Sequence, residues 1–261
     1  MSNLDLAVRD SSTMLRRNLL HARRYPSLTL NLLLTPVMLL LLFVYVFGDA
    51  MSAGIGGGDR SDYVAYIVPG LLLMTIGSTT IGTAVSVSND MTEGIIARFR
   101  TMAIHRGSVL IGHVIGSVVQ SIMSVVLVGA VGLAIGFRSA DATALEWLAA
   151  FGLLVLFTVA LTWIAVGMGL VSPNAEAASN NAMPLIFLPL ISSTFVPVDS
   201  MPGWFQPIAE YQPFTPAIET LRGLLLGTGI GHNGWLALVW CLALTALGYF
   251  WSTSKFNSDP K

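Results

Sequence analysis

Residues 147–171 read WLAAFGLLVLFTVALTWIAVGMGLV, a stretch without a charged side chain. A helix rises 1.5 Å per residue, so about 20 residues cross the roughly 30 Å hydrocarbon layer of a membrane. Five further stretches are similarly apolar. The sequence therefore predicts an all-α polytopic membrane protein with six transmembrane helices, at 28–47, 63–87, 109–137, 147–171, 182–198 and 235–253.

The composition agrees with a membrane protein. Hydrophobic residues make up 54% of the chain and charged residues 10%, whereas a soluble domain is about 45–50% apolar and about 25% charged. This excludes a disordered chain and argues against a soluble fold. The formal net charge of −1 gives no indication of a nucleic-acid partner.

The basic residues predict the orientation. Ten of the 13 lysines and arginines fall on the side of the two termini, and the positive-inside rule then places both termini in the cytoplasm. We expect one membrane domain over 1–261. It comprises an N-terminal interfacial helix (1–27), a six-span membrane domain (28–253) and a cytoplasmic tail (254–261).

The N-terminal segment has an amphipathic pattern. Apolar residues of 4–24 share one helical face, and the other face carries Arg9, Arg16, Arg17, Arg23 and Arg24. This predicts a helix in the cytoplasmic headgroup plane, with its arginines on anionic lipid. The alternative is a loosely ordered arm whose arginines only set the topology.

The segment 89–108, NDMTEGIIARFRTMAIHRGS, is too polar to span a membrane. Ile95, Phe99 and Met102 share one helical face, and Arg98 and Arg100 point elsewhere. A short amphipathic helix rimmed by charge is suited to docking in a groove of another protein. A solvated loop whose charges only set the topology remains an equal alternative.

The segment 197–226 is predicted on the external side and cannot be one straight span because it holds Pro197, Pro202, Pro207, Pro213 and Pro216. Short broken helices near the outer interface are expected in this segment, which also contains Trp204 and Glu210. Glu219 and Arg222 lie three residues apart on a helix and can pair. The alternative places these charges in headgroup water without a specific role.

The fifth stretch contains Pro184 and Pro189, which break its hydrogen-bond ladder. Ser192 and Ser193 follow, with hydroxyls that can satisfy the carbonyls freed by the prolines. A kinked helix of this kind is typical of a transport route. We therefore place these four residues, together with the segment 197–226, along the predicted pathway.

Several kinds of chemistry have no motif in this chain. There is no G-x-x-x-x-G-K-[ST] motif, and neither lysine, Lys255 or Lys261, follows a glycine, so no ATPase site of this type is expected. The scattered histidines suggest no metal cluster. His113 and Ser117, at i and i+4, would be the start of an intramembrane serine hydrolase, the alternative function. Two polar groups at a helix contact explain them more simply.

The chain resembles the permease subunits of ABC-2 type transporters, most closely the daunorubicin-resistance branch of drug and lipid exporters. The resemblance is carried by VPGLLL, by NDMTEGIIARFRTMAIHRGSVLIG and by the segment containing FLPLISSTFVPVDSMPGWFQPIAEYQPFTPAIETLRGLLLG, at 68–73, 89–112 and 184–227. It implies a dimer of six-span permeases, identical or similar, in a bacterial cell membrane. The resemblance implies that the N-terminal interfacial helix and the loop around Glu93, Gly94, Arg98 and Arg100 contact the ATPase. It also implies that 202–221 forms a short re-entrant hairpin that closes the outer end of the route.

The function implied by this resemblance is transport, not catalysis. A hydrophobic or amphipathic drug, antibiotic or lipid would leave the cell, driven by ATP and Mg bound to two separate ATPase subunits. No cofactor is expected in this chain.

Overall fold

The computed structural model describes residues 26–48, 60–92, 106–139 and 141–258, and every regular element in these residues is helical. A 3₁₀ turn, Val198–Ser200, lies between the sixth and seventh α-helices. The α-helices are α1 Pro26–Tyr45, α2 Arg60–Thr92, α3 Arg106–Ala134, α4 Ala144–Val171, α5 Ala175–Ala182, α6 Pro184–Leu190, α7 Gln206–Tyr211, α8 Phe214–Leu226 and α9 Asn233–Ser258. The all-α prediction is confirmed for this part of the chain.

Four helices among the described residues are long and apolar enough to cross a membrane: α2, α3, α4 and α9. They lie at the second, third, fourth and sixth predicted stretches. At the first stretch lies α1, whose described apolar part, Leu34–Tyr45, is shorter than a full span. The predicted interfacial helix and the core of the predicted docking segment, 93–105, lie outside the described residues.

The fifth predicted span, 182–198, is corrected to short helices. α5 ends at Ala182, α6 covers only seven residues, and the chain then turns at 191–195. Pro184 begins α6, and Pro189 has no amide hydrogen to donate in its last turn. The predicted break at the prolines is therefore observed, and a continuous helix is not formed.

α2 is the central helix of the bundle. Its 33 residues correspond to about 50 Å, and it packs against α1, α3, α4, α5, α6 and α8. Tyr63, Ile67 and Leu71 of α2 are fully buried, as are Phe157 of α4 and Phe214 of α8. The rings of Phe157 and Phe214 meet edge to face, with centroids 5.0 Å apart. Packing of this kind is a main source of helix association in lipid.

α9 lies against α4 on the outside of the bundle. A Cβ atom on Gly248 would lie 2.8 Å from the backbone of Trp163, and the Ser252 hydroxyl donates to the Trp163 carbonyl at 3.1 Å. The Thr143–Glu146 capping box begins α4. The far side of α9 leaves large apolar side chains exposed, including Leu242 and Phe250.

Candidate functional site

Proline positions shape the segment 191–226, which we call the hairpin. Pro207 occupies the first turn of α7, and Pro213 directly precedes α8, positions at which a missing amide hydrogen costs little. The segment thus forms short helices, as the sequence predicts. Trp204 is 76% exposed beside Phe205, and Glu210 is half-buried on α7.

Buried hydroxyls hold the start of the hairpin. The Ser192 hydroxyl donates to the Pro189 carbonyl at 2.6 Å and lies 2.8 Å from the Thr194 hydroxyl. The amide of Ser193 donates to the Thr215 hydroxyl at 3.3 Å, which ties this turn to α8. A hydroxyl bond to a carbonyl beside the prolines is therefore observed for Ser192, whereas the buried Ser193 hydroxyl has no hydrogen-bond partner among the described residues.

Arg222 of α8 is the most connected polar side chain described in the hairpin. Its Nη1 donates to Oε1 of Glu219 at 2.6 Å, so the predicted pair is confirmed. Its Nε and Nη2 donate to the Tyr66 carbonyl at 3.2 and 3.1 Å, and Nη2 also donates to the Ser193 carbonyl at 2.9 Å. The guanidinium lies 3.7 Å from the centroid of the Tyr66 ring.

These contacts join three separate segments through one side chain. We call Tyr66, Ser193, Glu219 and Arg222 the arginine node. Tyr66 adds a direct bond of its own, from its hydroxyl to the Ser193 carbonyl at 3.0 Å. Because the Arg222 side chain is only 10% exposed, its bonds have little competition from solvent, and bonds to a charged group are worth about 1.5–3 kcal/mol each. The node fastens the hairpin to α2.

Close backbone packing accompanies the node. A Cβ atom on Gly70 would lie 2.8 Å from the Cα atom of Thr194, and one on Gly77 would lie 2.5 Å from the Leu185 carbonyl oxygen. Neither position has room for a larger side chain without a shift of the backbone. α2 therefore contacts α6 and the start of the hairpin directly.

A second polar cluster joins α2 to α3. Thr79 and Ser121 have hydroxyl oxygens 2.7 Å apart, and the Thr83 hydroxyl donates to the Ser117 hydroxyl at 2.7 Å. Both contacts lie in the half of α2 that ends at Thr92. They are the first two members of what we call the α2–α3 seam.

The third member of the seam is a contact between a histidine and an aspartate. His113 Nε2 lies 2.9 Å from Asp90 Oδ2, and both side chains are almost wholly buried. The contact lacks the alignment of a linear hydrogen bond. A carboxylate in a spanning helix is costly unless it has such a partner.

Comparison with known proteins adds to this geometry. The model of the family described as "ABC-2 type transporter" matches residues 10–226, which include the hairpin, the arginine node and the seam. The chain belongs to the ABC-2 type transporter family. The permease's α9 lies beyond the matched region.

The relatives of this permease include drug-resistance proteins. It is 29% identical to the daunorubicin resistance ABC transporter permease protein DrrB1 of Streptomyces coeruleorubidus, over 94% of this chain and 84% of that protein. It is 25% identical to the probable doxorubicin resistance ABC transporter permease protein DrrC of Mycobacterium tuberculosis, over 70% of this chain and 68% of that protein. Nodulation protein J of Rhizobium meliloti is 26% identical, over 74% of each chain. The resemblance to the daunorubicin-resistance branch is confirmed.

The alternative hydrolase has no support in the permease structure. A hydrolase site of this kind would need an acid to orient its histidine, and Asp90 does lie beside His113. Ser117, however, accepts from Thr83, and within the described residues no hydrogen bond joins it to His113. The three polar residues belong to a helix contact, as the simpler interpretation predicts.

Sequence reasoning found part of these clusters. It identified Glu219, Arg222, Ser192 and Ser193 but missed Tyr66 as a partner of Ser193 and Arg222. It also identified His113 but missed Asp90 as its partner. The predicted coupling residues are Glu93, Gly94, Ile95, Arg98, Phe99, Arg100 and Met102, and they lie outside the described residues, as do Arg16, Arg17, Arg23 and Arg24. Their roles stay predictions.

Proposed function

We propose that this chain is the transmembrane subunit of an ATP-powered exporter that moves a hydrophobic or amphipathic drug, antibiotic or lipid out of a bacterial cell. The observation that carries the proposal is the family match over 10–226, together with a daunorubicin resistance relative that aligns with 94% of the chain. The chain has no G-x-x-x-x-G-K-[ST] motif, so a separate pair of ATPase subunits would bind ATP and Mg.

The exposed apolar faces support an assembly within the membrane. α3 exposes Met123 and Val126, and α9 exposes Leu242 and Phe250, each about 60% or more accessible. Such faces need lipid or a second permease copy around them. We propose a dimer of this chain, or of this chain with a similar permease, on the ATPase pair.

The arginine node supports a role for the hairpin in closing the route. With both termini in the cytoplasm, the Arg60 end of α2 and the hairpin lie on the external side. The node holds the hairpin against α2 through bonds that a rigid shift of α8 would break together. The hairpin is then the external gate, and Pro184, Pro189 and Pro202 mark the bends of the pathway beneath it.

The export function is tested by purifying the permease with the ATPase encoded beside it. We expect daunorubicin, or another amphipathic compound in a panel, to stimulate ATP hydrolysis severalfold and to accumulate in inverted vesicles. The control is a complex in which the catalytic-base glutamate of the ATPase is replaced. Stable purification without any associated ATPase would contradict the proposal.

The orientation is tested by labelling in whole cells. With Cys241 replaced by alanine, a cysteine at position 57 (Gly57→Cys) is expected to react with a membrane-impermeant maleimide. A cysteine at position 97 (Ala97→Cys) is expected to react only after the membrane is opened. The reverse pattern would overturn the orientation.

The coupling role of 89–108 is tested with Phe99→Asp. A charge on the apolar face Ile95, Phe99 and Met102 would oppose burial in a groove of the ATPase. We expect release of the ATPase, or loss of daunorubicin-stimulated hydrolysis, with normal membrane insertion. Phe99→Leu, which keeps the face apolar, is the matched control. Normal assembly and export by Phe99→Asp would show that this face does not dock.

A further inference from the structure

The contacts between α2 and α3 change character along their length. Toward the Arg60 end, apolar side chains meet glycines: Val68 would lie 3.3 Å from a Cβ on Gly132, and Leu72 would lie 3.8 Å from one on Gly129. Toward the Asp90 end the contacts are polar, and they are the seam: Thr79–Ser121, Thr83–Ser117 and Asp90–His113. The two helices thus stay in one antiparallel register over most of their length.

Hydroxyl groups on α2 and α3 can form their hydrogen bonds without the seam, as other hydroxyls on the same helices show. Thr75, Ser78 and Thr80 of α2 each donate to a carbonyl of their own helix, at 2.7–3.0 Å. Ser124 of α3 does the same toward Gln120. Because back-bonding satisfies a hydroxyl without any partner helix, a hydroxyl that crosses to the other helix adds a tie between the two.

The seam brackets the segment that the sequence predicts as the ATPase contact. Asp90 lies two residues before the end of α2, and His113 lies two turns into α3. Residues 93–105 join the two helices, so a force applied to this segment reaches α2 and α3 beside the Asp90–His113 contact. The buried contact between Asp90 and His113 resists sliding of one helix along the other.

α2 continues from the seam to the arginine node. Asp90 and Tyr66 lie 24 residues apart on one helix, which corresponds to about 36 Å. A displacement of the Asp90 end is therefore carried by α2 to the Tyr66 carbonyl that Arg222 holds. α3 can share this movement only if the seam stays closed.

We infer that α2 and α3 move as one rigid pair of helices during export, held together by the α2–α3 seam. Asp90 and His113 are then positioning residues for ATPase coupling. This inference rests on the proposed export function. Neither residue contacts cargo or nucleotide. Their task is to keep the two ends of the 93–105 segment together while it is pushed.

The rigid-unit inference is tested with a disulfide across the seam. The Thr83 and Ser117 oxygens lie 2.7 Å apart, so this pair is the site chosen for a disulfide, which needs Cβ atoms about 3.5–4.5 Å apart. Thr83→Cys with Ser117→Cys, in a Cys241→Ala background, is oxidised in the complex with its ATPase. We expect ATP hydrolysis and daunorubicin uptake into inverted vesicles to stay within about twofold of the reduced sample. A reversible loss of about tenfold or more on oxidation would show that the helices must slide, and would overturn the inference.

The coupling role is tested with Asp90→Ala. We expect the amount of daunorubicin transported per ATP hydrolysed to fall at least about fivefold, and the same disulfide to restore most of it. The charge exchange Asp90→His with His113→Asp should also restore coupling. Ser78→Ala and Thr80→Ala, which remove back-bonded hydroxyls of α2, are the matched controls and should leave the ratio unchanged.

Two results would contradict the coupling role: an unchanged ratio in Asp90→Ala, or a loss that the disulfide does not recover. If Asp90→Ala does not assemble, Thr83→Ala with Ser117→Ala tests the seam without a buried charge. Failure of the export function itself is visible in the wild-type complex, as absent ATP hydrolysis and uptake. Failure of the inference appears only as a difference between wild type and variants.

Discussion

Replacing Arg222 by alanine is expected to reduce export at least about tenfold, since breaking a buried ion pair costs about 3–5 kcal/mol. The side chain makes bonds to Glu219 and to the carbonyls of Tyr66 and Ser193. Its removal takes the charged donor away from these acceptors, leaves the Ser193 carbonyl with the Tyr66 hydroxyl, and breaks the hydrogen bonds from α8 to α2. The hairpin would then no longer close in its proper position.

Glu219→Ala should have a smaller effect than Arg222→Ala. The Glu219 side chain is 31% exposed, against 10% for Arg222, and the guanidinium keeps both carbonyls when the carboxylate is lost. The double variant should recover part of the loss in Arg222→Ala, because it removes the unpaired carboxylate. The spacing of the two residues alone does not rank the two single effects. The structure makes them unequal.

Export by these variants is measured in vesicles with matched amounts of permease. Arg138→Ala is the control, since Arg138 is exposed and its Nη1 donates to nearby carbonyls of its own segment, Leu133 and Phe137. Arg222→Lys should not rescue, because an ammonium cannot replace the planar fork that holds several acceptors. Equal losses in Arg222→Ala and Glu219→Ala would mean that only the ion pair counts.

Local patterns in the sequence predicted the local part of these sites. The three-residue spacing of Glu219 and Arg222 predicts their contact, and the prolines predict the broken helices. Tyr66 could not be found in this way, because its contacts with Arg222 and Ser193 join residues far apart in sequence. Its position in an apolar stretch gives no signal of a polar partner.

Asp90 was missed for a different reason. Its polar neighbours placed it at the start of a loop in the prediction, whereas α2 continues to Thr92 and keeps Asp90 on the face toward His113. Tertiary contacts with α3 extend the helix beyond the point where its apolar pattern ends. Helix ends of this kind cannot be located from hydropathy alone.

Glycine spacing also indicated only part of the tight packing. Gly132 and Gly136 lie four residues apart in the third stretch, a spacing that permits close helix packing, but Gly136 lies beyond the end of α3 with φ of 117°. Close backbone contacts that this spacing does not indicate occur at Gly70 and Gly77 of α2. These two residues are seven apart, and their importance depends on where α6 and the hairpin lie.

Gly77→Ala is the second change from which we expect a large effect. The added Cβ atom would lie 2.5 Å from the Leu185 carbonyl oxygen, and a backbone atom cannot move aside as a side chain tip can. Overpacking of this kind costs about 1–3 kcal/mol. We expect a lower melting temperature in detergent and a clear loss of export.

Gly129→Ala is the matched control, because its Cβ atom would meet only the Leu72 side chain, at 3.8 Å. Both changes raise helix propensity by about 1 kcal/mol, so a difference between them reports packing alone. The difference in stability between the two variants is measured by thermal unfolding, with size-exclusion chromatography as the readout. Equal stability of the two variants would show that α6 gives way at Leu185 without cost.

The arginine node extends this argument from stability to the gate. α6 leads directly into the turn that presents the Ser193 carbonyl to Arg222, so an α6 displaced by Gly77→Ala also carries that acceptor away from its donor. Part of the loss in Gly77→Ala is then the same loss as in Arg222→Ala. Combining the two should reduce export by less than the product of the single effects, whereas independent sites would multiply. Vesicle uptake by the two single variants and the double variant decides between coupled and independent action.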